Sequence, residues 1–203
     1  LAFGALIHGA EWCFRDWIAN DVLPTRWLFP LIPMAGMVIA TYVTRRFAPE
    51  ARGHGVPEVM AAVATRGGII RARVVAVKAF ASAVTIGTGG SVGREGPIVQ
   101  IGSALGSSIG QLLKCSGQRV RLLLACGAAA GVSATFNAPI AGMMFAAEVI
   151  MNNFTGVSIA PLIIASVMGT VVMRTATGGD PASLHIGDIP FTLNPQELIL
   201  FVA

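Results

Sequence analysis

The chain has 203 residues, of which 54% are hydrophobic and only 12% are charged. Soluble globular domains average about 25% charged residues, so this composition excludes an ordinary soluble protein and indicates a polytopic membrane protein. The formal net charge of +4 does not indicate binding to nucleic acid, because no aromatic residues are interleaved with the basic ones.

Eight apolar segments follow one another, and several are shorter than the roughly 20 residues that a simple spanning helix needs. Short segments interrupted by Gly or Pro are typical of helices that stop partway through the bilayer at transport sites. The breaks at 53–57, 87–97 and 137–139 are therefore candidate elements of a pore, because non-helical backbone at this depth needs protein or water around it. The segments lie at about 1–19, 28–48, 56–65, 72–88, 97–113, 120–136, 139–152 and 157–173.

Both ends of the chain fall within apolar sequence. Residues 1–11 lack a basic leader and a starting Met, and residues 197–203 resemble a helix being entered. We expect the chain to be part of a longer protein, truncated at both ends. A polar loop is predicted from Thr177 to Pro195, where Gly and Pro are frequent.

Basic residues are concentrated in one part of the chain. Seven of the fourteen Lys and Arg residues lie between positions 45 and 78. They are Arg45, Arg46, Arg52, Arg66, Arg71, Arg73 and Lys78. Cytoplasmic loops of membrane proteins have an excess of Lys and Arg. We therefore expect this region to face the cytoplasm, in a multi-pass protein of the cell (inner) membrane.

The first break consists of Gly53, His54, Gly55, Val56, Pro57 and Glu58. Its glycines allow close approach of the backbone, and its proline suits the first turn of a short apolar helix. The N-terminus of such a helix attracts anions.

The second break repeats this pattern and adds a charged pair, Arg94 and Glu95. Its critical residues are Gly93, Arg94, Glu95, Gly96 and Pro97. A charge at membrane depth costs at least ~2.5 kcal/mol, so the pair indicates a functional site. Two helix N-termini aimed at one point would bind an anion without a fixed lysine, and weak binding suits rapid conduction. A Glu95 side chain that moves in and out could act as a gate.

Two further features concern helix packing and helix ends. The glycines at 102, 106 and 110, and those at 127 and 131, form G-x-x-x-G steps, which predict closely packed helices without a ligand role. Asn137 is predicted to cap the helix that begins near Pro139.

Taken in order and spacing, these motifs resemble the CLC family of chloride channels and chloride/proton antiporters. The resemblance rests on residues 53–58, on 93–97, and on the later runs at 127–131 and 136–142. It covers essentially residues 1–203 and corresponds to the first of the family's two inverted repeats; the motifs of the second repeat are absent. The resemblance implies an all-α membrane protein of multiple tilted and broken transmembrane helices.

The resemblance also implies roles for individual residues. Glu95 is similar to the gating glutamate of the family, Arg94 would steady the local field, and Gly96 would help to line the anion site. His54 stands where the family often has serine. This departure leaves the preferred anion open, since a histidine could donate a hydrogen bond or a proton near neutral pH.

A second departure concerns proton coupling. Exchangers of the family usually have a proton-transfer glutamate one position after that of Glu148, where this chain has Val149. Valine cannot transfer a proton, so the resemblance favours a voltage-gated chloride channel, with a chloride/proton antiporter as the alternative. It further implies a homodimer in the lipid bilayer that moves small anions and needs no cofactor.

Other functions fit the sequence less well. Residues 89–93 match G-x-S-x-G around Ser91, which would suggest an intramembrane serine hydrolase, but the preceding sequence resembles a membrane helix and not a strand. The same glycines fail the spacing of nucleotide-binding motifs. Cys13, Cys115 and Cys126 form no metal-ligand or disulfide pattern. We therefore expect no enzyme and no metal site; a scaffold or sensor without transport is a further alternative that anion flux would exclude.

Overall fold

The computed structural model describes residues 2–14, 31–152 and 156–178, the last range without the side chains of 156–158. Within these ranges the chain is helical and has no strand, which confirms the predicted all-α class. The helices are α1 (Ala2–Glu11), α2 (Leu31–Phe47), α3 (Val56–Thr65), α4 (Arg73–Gly87), α5 (Glu95–Leu112), α6 (Gly117–Phe136), α7 (Pro139–Phe145) and α8 (Gly156–Ala176). A 3₁₀ turn lies at Pro49–Ala51, and a π-helical turn at Ala146–Ile150 continues α7.

The predicted segments agree with these helices to within a few residues. Helix α3 has the predicted bounds, whereas α5 begins at Glu95, two positions before the predicted start at Pro97. Both charges of the second break therefore lie at the helix end, with Arg94 as its N-cap residue. The predicted loop after Thr177 and the end of the first apolar segment fall largely outside the described residues.

Helices α5 and α6 form the centre of the core. A Cβ atom on Gly102 would meet the backbone carbonyl of Gly127, and one on Gly127 would meet that of Gly102. Leu124 and Ala128 on α6 are fully buried beside this contact. The predicted packing role of the G-x-x-x-G steps is confirmed at this crossing, where small residues let two backbones approach.

Two helices of the described chain are long and apolar enough to cross a membrane, Gly117–Phe136 and Ile159–Ala176. Helix α3 and the segment Pro139–Ile150 are apolar but shorter. Large apolar side chains are exposed on α2 and α8, among them Val38 and Ile164. Such surfaces are expected where a helix contacts lipid or further protein.

The break between α6 and α7 differs from its prediction. Asn137 ends α6 in the left-handed conformation, with φ 53°, and the N-cap of α7 is Ala138. The prediction that Asn137 caps α7 is wrong because Asn tolerates left-handed φ and so serves as a helix C-cap. Its Oδ1 instead accepts a hydrogen bond from Arg174 Nε at 2.7 Å. Pro139 is the first residue of α7, as predicted.

A buried polar seam joins this break to α8. Ser166 Oγ donates to the Pro139 carbonyl and is hydrogen-bonded to Ser133 Oγ, and Thr170 Oγ1 donates to the Ser133 carbonyl at 3.3 Å. Ser133 and Ser166 are fully buried. The interruption in the helix is therefore compensated by side chains within the protein, as backbone at membrane depth requires.

Candidate functional site

The structure brings the first and second breaks into direct contact. The carbonyl of His54 lies against the Cα atom of Gly96, and the carbonyl of Gly96 lies against the Cα atom of Gly55. A Cβ atom on either glycine would therefore clash with backbone. Gly55 also has φ +105°, which disfavours any other residue. The N-termini of α3 and α5 therefore meet at one place.

At the start of α3, the carboxylate of Glu58 folds back onto the helix end. Its Oε2 accepts a hydrogen bond from the Gly55 N–H at 2.6 Å. Gly55 is buried, and Pro57 has no N–H to donate. In this geometry the Gly55 N–H is therefore engaged by Glu58, and Pro57 contributes to the helix start without a donor of its own.

At the start of α5, the carboxylate belongs to the first residue of the helix. Glu95 is exposed, and its Oε2 lies close to the Cα atom of Gly93. Pro97, the third residue of the helix, is buried. The side chain of Glu95 thus lies at the end of the helix where an anion would be attracted.

A cleft of about 730 Å³ opens where the two helix ends meet. It is bounded by α2, α4 and the two breaks. Of the ten predicted site residues, seven line it: Gly53, His54, Val56, Gly93, Glu95, Gly96 and Pro97. Gly55, Pro57 and Arg94 lie beside the cleft without lining it.

Lys78 also lines this cleft, although the sequence predicted it only as one of the basic residues of a cytoplasmic region. It belongs to α4 and is 7% exposed, and its Nζ donates to the carbonyls of Ala51 at 3.1 Å and Gly53 at 2.8 Å. The cation therefore holds the backbone that leads into α3. Its position inside an apolar segment was the available signal, because ionisable residues at membrane depth are usually functional.

A second cavity, of about 580 Å³, is lined by Glu50, Glu58 and Gln100 among others. Glu50 is paired there with Arg73 at 3.3 Å and with Arg71 at 3.7 Å. Burial opposes ionisation of Glu50, but a backbone hydrogen bond and the Arg73 guanidinium together lower the pKa of this carboxyl. Gln100 Nε2 donates to the Glu50 carbonyl at 3.4 Å. These contacts fix the 3₁₀ turn that precedes Gly53.

The position of the missing exchanger glutamate lies away from the cleft. Val149 belongs to the π-helical turn after α7, is half-buried and packs against the apolar core, whereas Glu148 is exposed. Helical turns of this kind occur frequently at functional sites. Val149 does not line the cleft.

The hydrolase motif lacks its structural context. Ser91 lies in the loop between α4 and α5, so a helix and not a strand precedes it. No group of three or more potential metal ligands is present among the described residues. The helix before Ser91 thus does not provide the strand, turn and helix that the hydrolase motif requires.

Comparisons with known proteins agree with this geometry. A family model described as voltage gated chloride channel matches residues 36–203. The H(+)/Cl(-) exchange transporter ClcA of Vibrio vulnificus (strain YJ016) is 35% identical over 184 residues, which cover 88% of this chain and 39% of that protein.

Solved structures show the same arrangement of helices. A slow cyanobacterial Cl-/H+ antiporter has a TM-score of 0.70 at 26% identity, over 86% of this chain and 42% of its own. A CLC-type fluoride/proton antiporter has a TM-score of 0.71 over 98% of this chain and 48% of its own, and at 24% identity it is similar in fold alone. The chain spans less than half the length of these relatives.

Proposed function

The chain belongs to the CLC family, and from this premise we propose that the full-length protein moves chloride or a similar small anion across a membrane. The observation that supports this most directly is the meeting of two helix N-termini at one cleft. Each N-terminus concentrates partial positive charge and unsatisfied N–H groups. An anion in the cleft would interact with both.

The composition of the cleft suits transport better than tight binding. Its strongest attraction comes from helix ends and from Lys78, whose Nζ is already hydrogen-bonded to two carbonyls. Conduction requires an ion to enter readily and to leave again, so moderate attraction is favourable. We propose no cofactor, because helix ends and side chains supply the groups that the anion needs.

Glu95 is proposed as the gate. Its carboxylate is exposed at the first residue of α5 and shares the cleft with His54. An ionised carboxylate there competes with an anion for the same positive helix end. Movement or protonation of Glu95 would open the site, and Arg94 would influence the field at this position.

Two modes of transport are compatible with such a gate. Val149 favours passive, voltage-gated conduction, since a valine transfers no proton. The name of the Vibrio vulnificus relative favours exchange of chloride for protons as the second candidate. We also propose that the protein forms a homodimer with one anion pathway per subunit in the cell (inner) membrane, as family membership implies.

The test is reconstitution of the full-length protein in liposomes with a chloride gradient, recording anion efflux and internal pH together. Wild type is compared with Glu95→Ala and with the control Glu148→Ala, which removes an exposed carboxylate away from the cleft. Chloride flux without proton movement supports the channel, and proton movement stopped by Glu95→Ala supports the exchanger. Absence of flux in a folded wild-type protein would refute the proposal.

A further inference from the structure

His54 is a histidine that lines the cleft at the start of α3. It lies between two glycines with positive φ, Gly53 at 94° and Gly55 at 105°. The residue is exposed and lines the same cleft as Glu95. Because its carbonyl is in contact with Gly96, the backbone of His54 is held at the point where α3 and α5 meet.

Charged residues from each element around the cleft line it together with His54: Arg45 of α2, Arg52 before α3, Lys78 of α4 and Glu95 at the start of α5. Glu58 of α3 and Arg94 before α5 are the neighbouring charged residues that do not line it. Lys and Arg side chains ordinarily stay protonated below about pH 10, and carboxylates ordinarily ionise near pH 4. The imidazole is the side chain that ordinarily changes charge between about pH 5 and 8.

We propose that His54 is a proton-binding site that is occupied together with the anion. Protonation of the imidazole adds one full positive charge where the two helix ends meet, in a cleft that Arg45, Arg52 and Lys78 also line. The anion therefore binds more tightly when His54 is protonated. By thermodynamic linkage, a bound anion increases the proton affinity of His54 by the same factor.

The position of Glu58 makes this added charge effective. Its carboxylate is hydrogen-bonded to the Gly55 N–H and so offsets part of the positive end of α3. Lys78 Nζ, in turn, is engaged by the carbonyls of Ala51 and Gly53. A protonated His54 takes part in neither of these sets of hydrogen bonds, so its charge acts directly on the cleft.

This inference rests on the proposed function, and its test separates the two. Chloride binding to full-length protein in detergent is measured by calorimetry in the Glu95→Gln background, which removes the titration of the gate. The dissociation constant for chloride should rise at least about 5-fold from about pH 5.5 to 8.5, a range that brackets the charge change of histidine side chains in general; 5-fold is the lower end of typical couplings.

Adding His54→Gln to the Glu95→Gln background should abolish the pH dependence of chloride binding, while adding His8→Gln should preserve it. His8 lies on α1 beside Glu11, 3.3 Å away, and not on the cleft. Proton uptake on addition of chloride, followed with a pH indicator at about pH 6.5, gives a second measurement that needs no His54 variant.

The outcomes are distinct. Loss of the pH dependence and of proton uptake with His54→Gln supports the inference. Chloride binding that is independent of pH, or a dependence unchanged by His54→Gln, overturns this inference alone. Failure of every variant to bind chloride at any pH overturns the proposed function together with it.

Discussion

The starts of α3 and α5 use the same residue types and reach the same cleft, yet they place their carboxylates differently. Glu58 is the third residue of α3, and its Oε2 accepts the Gly55 N–H at 2.6 Å. Glu95 is the first residue of α5 and is exposed. A glutamate at the third position can reach back to the N-cap N–H, as in a capping box.

The difference shows that the position of a charge relative to a helix start decides its role. Glu58 satisfies the helix that contains it and thereby reduces the attraction of α3 for an anion. Glu95 precedes almost all of its helix, and in the proposed function it competes with the anion for the positive end of α5. We infer that α3 serves as the fixed wall of the cleft and α5 as its movable side.

The largest expected loss of stability comes from breaking the contact between the start of α3 and the start of α5. Gly55→Ala would place a Cβ atom against the Gly96 backbone. Forced overpacking costs about 1–3 kcal/mol, in addition to about 1–2 kcal/mol for a left-handed non-glycine residue. We expect a clearly lower melting temperature of the full-length protein in detergent, measured by fluorescence-detected size exclusion.

The matched control is Gly89→Ala. Gly89 also has positive φ, at +88°, but no atom of another residue lies within 4 Å of the place that its new methyl group would take. It should therefore show only the conformational cost. Equal losses in the two variants would mean that the α3 to α5 contact contributes nothing to stability.

A smaller loss of stability is expected when the backbone before α3 loses its hydrogen bonds from Lys78 of α4. Lys78→Met leaves the buried Ala51 carbonyl without this donor, at a cost of about 1–3 kcal/mol, whereas the Gly53 carbonyl is only partly buried. Arg45→Met removes another cation from the cleft but from an exposed position. Thermal melting should fall for Lys78→Met and stay near wild type for Arg45→Met; the reverse order would contradict the assigned role of Lys78.

Neutralising the two carboxylates in turn sharpens the comparison. Glu58→Gln should lower stability by about 1 kcal/mol, because it replaces the charge-assisted hydrogen bond from the Gly55 N–H by a neutral one. Glu95→Gln should leave the melting temperature close to wild type and should tighten chloride binding, since it removes a competing charge. Paired melting and calorimetry on both variants test this, and a loss of stability in Glu95→Gln without tighter binding would refute the division of roles.

The smallest effect on stability is expected at Pro57, and Pro97 provides the comparison from the other helix start. Pro57 is exposed, so Pro57→Ala should cost only about 0.4–1 kcal/mol through the entropy of the unfolded chain. Pro97 is buried, so Pro97→Ala also loses apolar packing, at about 0.8 kcal/mol per buried methylene. Chemical unfolding should rank Pro97→Ala as the less stable variant, and indistinguishable values would show that the two starts are equally packed.

Much of the fold follows from local sequence signals. The start of α3 at Val56, the start of α7 at Pro139 and the packing glycines of α5 and α6 were all predictable. Proline and glycine restrict backbone geometry within one turn, so their effects need no knowledge of distant residues. Asn137 was misassigned because the same residue type favours both a helix N-cap and a left-handed C-cap.

The candidate site was only partly predictable. The sequence located both breaks and the charge of Glu95, but it gave Lys78 no place in the cleft and did not show that Glu58 occupies the Gly55 N–H. Lys78 is 25 residues from Gly53. Contacts over such separations depend on how α4 packs against the turn before α3.

By itself, the sequence determined the membrane class, the helices and their interruptions, because composition and Gly or Pro positions act within a few residues. Tertiary structure decided which groups face the cleft: His54 and Glu95 line it, Gly55 is buried, and Lys78 comes in from α4. The physical reason is that a helix end attracts an anion only where its N–H groups are unoccupied, and occupancy is settled by packing between helices and by hydrogen bonds.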